Sequence, residues 1–470
     1  MEPVASTHFI GIGGAGMSAL AEILLDRGSP VSGSDLCDSQ KLVALRRRGA
    51  RICLGHNADQ LADAGLVVYS TAVRQDNPEL VEAACRGLPV FRRGEFLAEL
   101  MRGTNAVAIA GSHGKTSTTA MTAHALIACG FEPSVALGGT ITGQSWSGRH
   151  GRGTWFIAEA DESDGSFLWL APSIAVVTNI DREHLDHYIN LAALHHAFQQ
   201  FIEHTAARGR VILNVDDPVV RHLGETLPDA RVIRYGLTSP AAQLTAEDIS
   251  GAGLGHRFVP VFNGRQLPAC RLNIPGLHMV SNALAAVAVL LEAGVPAPRA
   301  VEALSAYPGV ERRMQVKGSS GDIIVIDDYG HHPTELLATI RALRLAYNRP
   351  LRVVFQPHRY TRTRDLIHEF SDALIETDTL WILDIYAAGE PGIPGVTARE
   401  IFLRLKERGH PDVYAPCADG ETLSILLKRV APGDVLLTLG AGDVYKIGEL
   451  FLAARRGREN DLEPSSCEGC

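Results

Sequence analysis

Residues 105 to 129 constrain the chain more than any other stretch. An apolar run, Ala106 to Ala110, breaks into Gly111-Ser112-His113-Gly114-Lys115-Thr116 and resumes as the helix-compatible segment Ser117 to Cys129. A buried strand that turns through glycines into a helix is the building unit of parallel α/β sheets. The N-terminus of such a helix offers unpaired N–H groups to an anion. Lys115 supplies a cation for β- and γ-phosphates, and Thr116 a hydroxyl for Mg²⁺. Ile109 stands where a full Walker A pattern has its first glycine, so only the functional end of that pattern is present. Gly111, Ser112, His113, Gly114, Lys115, Thr116 and Ser117 form a candidate loop for ATP or GTP.

The same grammar opens the chain. His8-Phe9-Ile10 runs into Gly11-Ile12-Gly13-Gly14-Ala15-Gly16 and then into the apolar-periodic stretch Ala15 to Leu25. Gly13, Gly14 and Gly16 let a backbone approach a diphosphate, and Asp35, closing the next strand, is placed for a ribose hydroxyl. A tight βα turn without ligand fits the same pattern, and NAD and UDP fit it alike. Ser70 and Thr71, after the strand candidate Leu66 to Tyr69, are further substrate-side candidates.

At ~100–200 residues per domain, 470 residues imply about three domains. The expected bounds are 1–103, 104–306 and 307–470. The expected fold is α/β throughout: a Rossmann-like N-terminal domain, a central P-loop ATPase-like parallel sheet and a Rossmann-like C-terminal domain. The central domain adds a small antiparallel part around Asn263-Gly264. The third block carries strand candidates at Ile323 to Ile326, Val353 to Phe355, Leu380 to Leu383 and Val435 to Leu439.

A net charge of −9 without a basic block argues against a duplex nucleic-acid partner, because phosphate neutralisation needs a basic footprint. No apolar run reaches the ~18 residues of a membrane span. Met1 to Thr7 reads as the approach to a strand, not a signal peptide. Eight scattered cysteines form no disulfide framework, which points to reduced thiols in a cytoplasm. Cys467 and Cys470 read as a frayed terminus.

Polar residues gather where strands end, the edge at which open α/β sheets bind ligands. Glu159-Ala160-Asp161-Glu162-Ser163-Asp164 is an acidic loop or the carboxylate side of a metal site, and Thr178 to His187 adds two histidines and three acids. His278 and Asn282 share one helix face, as a cap, a buried polar pair or a ligand contact. Arg312-Arg313 alone reads as a surface pair, and His195-His196 as a solvated face. Tyr329, His331, His358 and Arg359 follow two strands of the third block and suit a carboxylate and an amine.

Taken in order, S-H-G-K-T, E-A-D-E-S-D, V-T-N-I-x-x-x-H-L-D, D-D-Y-G-H-H-P-T-E, P-H-R-Y-T-R-T and L-G-A-G-D resemble the ATP-dependent Mur ligases of peptidoglycan synthesis, from about Phe9 to Asp443. The resemblance implies one domain each for a UDP-substrate, ATP and an amino acid. It implies the branch that joins L-alanine to the lactyl carboxylate of UDP-N-acetylmuramate, through an acyl phosphate, with ATP and Mg²⁺. By resemblance Thr116, Glu159 and His184 hold metal, and His278, Asn282 and Arg313 contact the nucleotide. Lys115, His184, Arg313, His331 and Arg359 serve catalysis, and Tyr329, His358 and Arg359 the amino-acid side. Ser112 replaces the family's usual threonine and keeps its hydroxyl, while Met279 replaces an asparagine and loses an amide. A monomer or weak homodimer is expected, with domain closure around the substrates. Three competing readings are a murein-peptide ligase, a nucleotide-regulated binding protein and, on the first glycine loop alone, an NAD-dependent oxidoreductase.

Overall fold

The computed structural model describes residues 6–184, 187–252, 254–416 and 419–462. Cys467, Cys470 and the motif residues Leu185 and Asp186 lie outside them. The chain forms two compact units. One comprises Met1–Ser250, Arg257–Leu272 and Met279–Pro308, and the other Gly251–His256, Asn273–His278 and Gly309–Cys470.

The first unit begins with a five-stranded parallel sheet: β1 (Thr7–Ile10), β2 (Val31–Asp35), β3 (Arg51–Leu54), β4 (Leu66–Tyr69) and β5 (Val90–Arg92), in the order β3-β2-β1-β4-β5. The order reverses at β1, so its carboxyl end is the switch point of the sheet. The edge strand β3 is too short to announce itself in sequence: only Ile52, Cys53 and Leu54 are apolar, and none of its four residues is buried.

An eleven-stranded mixed sheet follows. Its parallel part holds β6 (Asn105–Ala110), β7 (Ser134–Ala136), β9 (Trp155–Glu159), β10 (Ile174–Val177), β11 (Arg210–Asn214) and β12 (Val232–Tyr235), with the short β8 (Gly148–Arg149) antiparallel to β7. β13 (Leu244–Ala252), β14 (Gly255–Phe262), β15 (Arg265–Gln266) and β16 (Cys270–Leu272) extend it, and β14 and β15 pair antiparallel across the Asn263-Gly264 turn. β6 is buried at every residue but its first, as an unbroken apolar run in a sheet covered on both faces should be. Phe167 packs against Phe198 and Phe201 in the core of this unit, its ring centroid 5.1 Å from each. Each such burial contributes about 1.5–3 kcal/mol.

Glu22, on the helix Ala15–Asp26 that follows the first glycine loop, ties the two sheets of this unit together. Its buried carboxylate accepts from the Ser147 N–H (2.8 Å), the Ser147 hydroxyl (3.1 Å) and the Gly148 N–H. Arg93 is a second tie, donating to Asp161 (2.9 Å) and Ser166 (3.4 Å).

The second unit holds a six-stranded sheet of β17 (Gln315–Ser320), β18 (Ile323–Asp328), β19 (Leu351–Phe355), β20 (Thr379–Ile382), β21 (Val413–Tyr414) and β22 (Val435–Leu439), ordered β17-β18-β22-β19-β20-β21. It is parallel except for β17, whose polar sequence gives no strand signal and which pairs antiparallel with β18. The α/β class expected from sequence holds in every sheet. Among the described residues no helix is long and apolar enough to cross a membrane.

Candidate active site

The loop after β6 is strapped by the polar end of β10. The His113 N–H donates to Asn179 Oδ1 (2.8 Å), and Asn179 Nδ2 donates back to the His113 carbonyl (3.0 Å). Thr178 Oγ1 donates to the same carbonyl (2.7 Å), Ser112 Oγ accepts from the Asp181 N–H (2.8 Å), and His113 Nε2 lies 2.9 Å from Asp181 Oδ2. Gly111 and Gly114 adopt φ of 128° and 84°. A Cβ on Gly111 would sit 2.2 Å from Thr178 Oγ1, and one on Gly114 2.6 Å from Asn282 Oδ1. Both positions exclude a side chain for conformational and steric reasons at once.

Helix Lys115–Ala128 starts at this loop, with Ser117 buried in its first turn. Lys115 Nζ donates to Glu162 Oε1 (2.7 Å) and to the Ser112 carbonyl (3.2 Å). Burial opposes its charge, but Glu162 and Asp161 outweigh that and raise its pKa, so the ammonium is retained. Thr116 Oγ1 donates to Glu159 Oε2 (3.2 Å), whose other oxygen accepts from the Gly138 N–H (2.7 Å). His184 Nε2 lies 3.5 Å from Glu162 Oε1 and 3.8 Å from Glu183 Oε2. Burial works against its protonation, yet Glu162 and Glu183 raise its pKa overall. Its backbone is left-handed at φ 59°, a strained state for a side-chain-bearing residue.

Of the three residues expected at a metal, Thr116 thus meets Glu159, while His184 faces Glu162. Glu162 is fully buried, and its second oxygen, Oε2, takes no hydrogen-bond partner among the described residues. Asn282 lies against Gly114, and its Nδ2 points to Met279 Sδ at 3.8 Å. The sulfur that replaces the family's amide is a weak acceptor and packs in the core.

At the carboxyl end of the first sheet, Asp35 Oδ2 accepts from the Gly13 N–H (2.8 Å), and Gly11 and Ile12 donate to the Ser34 carbonyl. Gly14 precedes the helix, Gly16 lies under the Arg93 side chain, and Ser70 lies against Gly11. Thr71 is exposed.

The second unit gathers its own cluster. Arg312, at φ 60°, stands between the Tyr329 ring (5.0 Å) and the Tyr445 ring (4.5 Å) and donates to Asp327 (3.0 Å). Arg313 lies over the same Tyr329 ring (5.1 Å) and reaches Glu335 (3.3 Å). The His331 ring is 5.5 Å from Tyr329 and 5.6 Å from His358, and Tyr386 stacks on His358 at 5.6 Å. Arg359, at φ 70°, is half-exposed near Glu390. Burial pushes His358 down to about 4, helped by Arg362 and Arg359, and holds His331 well below its ordinary value. Both rings are therefore neutral near pH 7. His278 belongs to this unit, and burial lowers it to about 4 against the pull of Glu335.

Sequence reasoning passed over Glu162, Asn179, Asp181, Glu335 and Tyr386 as individual residues. All but Tyr386 lay inside the motifs it quoted. Tyr386 follows β20, and polar strand ends were the signal that marks it.

Three family models match the chain: the Mur ligase family catalytic domain over residues 6–105, the Mur ligase middle domain over 109–290, and the Mur ligase glutamate ligase domain over 312–442. A UDP-N-acetylmuramate–L-alanine ligase of Desulfatibacillum aliphaticivorans is 47% identical over 451 residues, 96% of this chain and 98% of that protein. One from Sorangium cellulosum is 47% identical over 98% of this chain and 97% of its own length. The crystal structure of UDP-N-acetylmuramate-alanine ligase from Thermotoga maritima matches with a TM-score of 0.83 and 29% identity, covering 97% of this chain and 100% of that one. A murein peptide ligase from Psychrobacter arcticus shares the fold, with a TM-score of 0.71 and 23% identity over 96% of this chain and 98% of its own. With that identity sustained over nearly its whole length, the chain belongs to the Mur ligase family.

Proposed function

We propose that the chain is an ATP-dependent ligase that joins L-alanine to the lactyl carboxylate of UDP-N-acetylmuramate, releasing ADP and phosphate. The observation that carries this reading is the near-full-length identity to ligases of that name, together with a lysine-bearing phosphate loop. The carboxylate takes the γ-phosphoryl group to give an acyl phosphate. The amine of L-alanine then attacks the acyl carbon, phosphate leaves, and the amine loses a proton.

In this reading the sugar nucleotide belongs to residues 1–103, ATP to 104–306 and the amino acid to 307–470. Lys115 and the N–H groups after Gly111 neutralise transferring phosphate, and electrostatic stabilisation of that kind is the main task in phosphoryl transfer. Asn282 lies against the loop at Gly114, and His278 and Arg313 are assigned to the nucleotide. Tyr329, His331, His358 and Arg359 serve the amino-acid side, where neutral histidines accept hydrogen bonds from an ammonium group.

The donors near Lys115 suit Mg²⁺: the Thr116 hydroxyl, the carboxylates of Glu159 and Glu162, and His184. The Oε2 of Glu162, without a donor among the described residues, supports this fit, because a buried carboxylate oxygen left unpaired is costly unless a cation meets it. When bound, the ion neutralises phosphate charge. The protein's own share is to hold the Glu159 carboxylate between the Gly138 N–H and the Thr116 hydroxyl. A cytoplasmic monomer or weak homodimer completes the reading.

The test is phosphate release from ATP with UDP-N-acetylmuramate and either L-alanine or a murein tripeptide. L-alanine-dependent release is expected. Release only with the tripeptide would move the chain to the peptide-recycling branch, and ATP binding without release to a binding protein.

A further inference from the structure

In D-D-Y-G-H-H-P-T-E, Pro333 opens the helix Pro333–Tyr347 and Glu335 stands third in it. A glutamate or glutamine there ordinarily closes the turn by accepting the N–H of the residue that precedes the helix. Glu335 does more than that. Its Oε2 accepts from the His332 N–H (3.3 Å) and from the His331 N–H (3.0 Å), and lies 3.5 Å from His331 Nδ1. Its Oε1 accepts from Arg313 Nη1 (3.3 Å). One carboxylate thus divides its oxygens between the turn that carries Tyr329 and His331 and a guanidinium from another segment of the second unit. The Glu335 and Arg313 side chains are 13% and 26% exposed, so solvent screens this pair only in part.

The segment that delivers Arg313 is held in a conformation that side-chain-bearing residues rarely adopt. Arg312 and Met314, on either side of it, have φ of 60° and 50°. The Arg312 carbonyl accepts from the Tyr329 N–H (2.6 Å), and the Met314 N–H donates to Asp328 Oδ2 (2.8 Å), so the motif itself clamps both neighbours. Asp328 is buried and uses its other oxygen on the Gly330 N–H (2.8 Å) and the Thr339 hydroxyl (3.2 Å). Strain that the surrounding structure over-determines in this way gathers where geometry serves function. With its backbone pinned, Arg313 lays its guanidinium over the Tyr329 ring (5.1 Å) and reaches Glu335, while the His331 ring stands edge-on to the same tyrosine (5.5 Å). The charge of Glu335 is felt on both sides. Burial lowers the pKa of His331 and of His278, and at each of them Glu335 is the first charge that opposes it.

The ligase reading assigns Arg313 to the nucleotide and His331 to the amino acid, and leaves Glu335 without a part. We propose that Glu335 is a positioning residue that sets Arg313 and His331 in one arrangement, so that the nucleotide-side and amino-acid-side residues of the second unit are placed by the same carboxylate. The inference rests on the ligase reading and adds a residue to it. When an amine attacks an acyl phosphate, the groups that hold the two reactants must keep mutual register, and a misplacement of about 1 Å can cost about 10²-fold in rate.

Glu335→Gln is the decisive variant. A glutamine keeps the side-chain length and one oxygen for the two N–H groups, and it caps a helix as glutamate does. Its amide nitrogen then faces Arg313, donor against donor. The expected result is an unchanged circular dichroism spectrum, with the KM for ATP and the KM for L-alanine each raised about tenfold in phosphate release, the worth of one charge-assisted hydrogen bond. The KM for UDP-N-acetylmuramate stays as in the wild type. In an Arg313→Ala background, Glu335→Gln causes no further loss of affinity for a non-hydrolysable ATP analogue, measured by calorimetry. A residue that only caps the helix predicts wild-type constants in Glu335→Gln. That result, a rise in only one of the two KM values, or a further loss of analogue affinity in the Arg313→Ala background overturns the proposal and leaves the ligase reading standing. If Glu335→Gln fails to fold, Arg313→Ala decides alone: a raised KM for L-alanine supports the shared placement, and an unchanged one overturns it. A wild type that releases no phosphate with ATP, UDP-N-acetylmuramate and L-alanine overturns the ligase reading and this inference with it.

Discussion

Lys115→Ala separates what the lysine does for the fold from what it does for the reaction. Its ammonium is the nearest cation to Glu162, at 2.7 Å, and that carboxylate is fully buried. Without Lys115, the basic neighbour of Glu162 left among the described residues is His184 at 3.5 Å. Removing one partner of a buried pair costs about 3–5 kcal/mol, chiefly because the other charge stays buried. Lys115→Ala is therefore expected to lower the urea midpoint clearly. Adding Glu162→Gln removes the stranded charge and should recover most of that loss. Turnover should behave differently. A charge-stabilising donor at a transferring group is worth about 10²–10³ in kcat, and a glutamine at 162 restores none of it. The assays are urea unfolding by circular dichroism and phosphate release at saturating substrates. Near-normal turnover in Lys115→Ala would refute the assignment of the loop. Recovery of turnover together with stability in the double variant would reduce Lys115 to a packing role.

Three further outcomes follow from the same geometry. Gly111→Ala places a Cβ 2.2 Å from Thr178 Oγ1 and must break the strap on the loop, so the KM for ATP should rise at least about tenfold while the fold survives by circular dichroism. Glu22→Ala strands two buried backbone donors at Ser147 and Gly148, at about 1–3 kcal/mol each, and should lower the thermal midpoint without a change in the KM for L-alanine. His358 titrates near 4 in the fold, below its unfolded value near 6.5, so the unfolded chain binds the extra proton between those values. Its contribution to stability is thus full above about 6.5 and is lost as pH falls toward 4; a histidine NMR titration that places His358 near 6.5 would contradict this.

Parallel architecture was legible because strands such as β6 are unbroken apolar runs between glycine turns, and buried parallel strands must be so. The edge strands β3 and β17 were not, because half-exposed edges need no apolar pattern and their pairing is decided by neighbours far along the chain. The site divided in the same way. Lys115 and Thr116 could be read from local spacing, since one helix start positions both. The pairing of His184 with Glu162, while Thr116 meets Glu159, depends on how β9 and β10 flank β6. Both carboxylates stood in one acidic motif, and no spacing rule distinguishes them.

The glycine loop and the lysine loop of the first unit are also linked by charge. Arg93 covers Gly16 and pairs with Asp161 at 2.9 Å, Asp161 is next in sequence to Glu162, and Glu162 holds Lys115. Burial would raise the Asp161 pKa, but Arg93 and Lys115 hold it down to about 2, so Asp161 is a carboxylate throughout the neutral range. Glu22 adds an uncharged-donor clamp between the helix of the first loop and the β7–β8 hairpin. The separation between the glycine loop and the lysine loop is therefore set when this unit folds. In a reaction that must bring a sugar-nucleotide carboxylate to a γ-phosphoryl group, orientation is worth up to about 7–11 kcal/mol of barrier. Building both loops into one compact unit supplies part of that orientation before either substrate arrives. It follows that loosening Glu22 or Arg93 should lower kcat more than it weakens the binding of ATP or UDP-N-acetylmuramate measured singly.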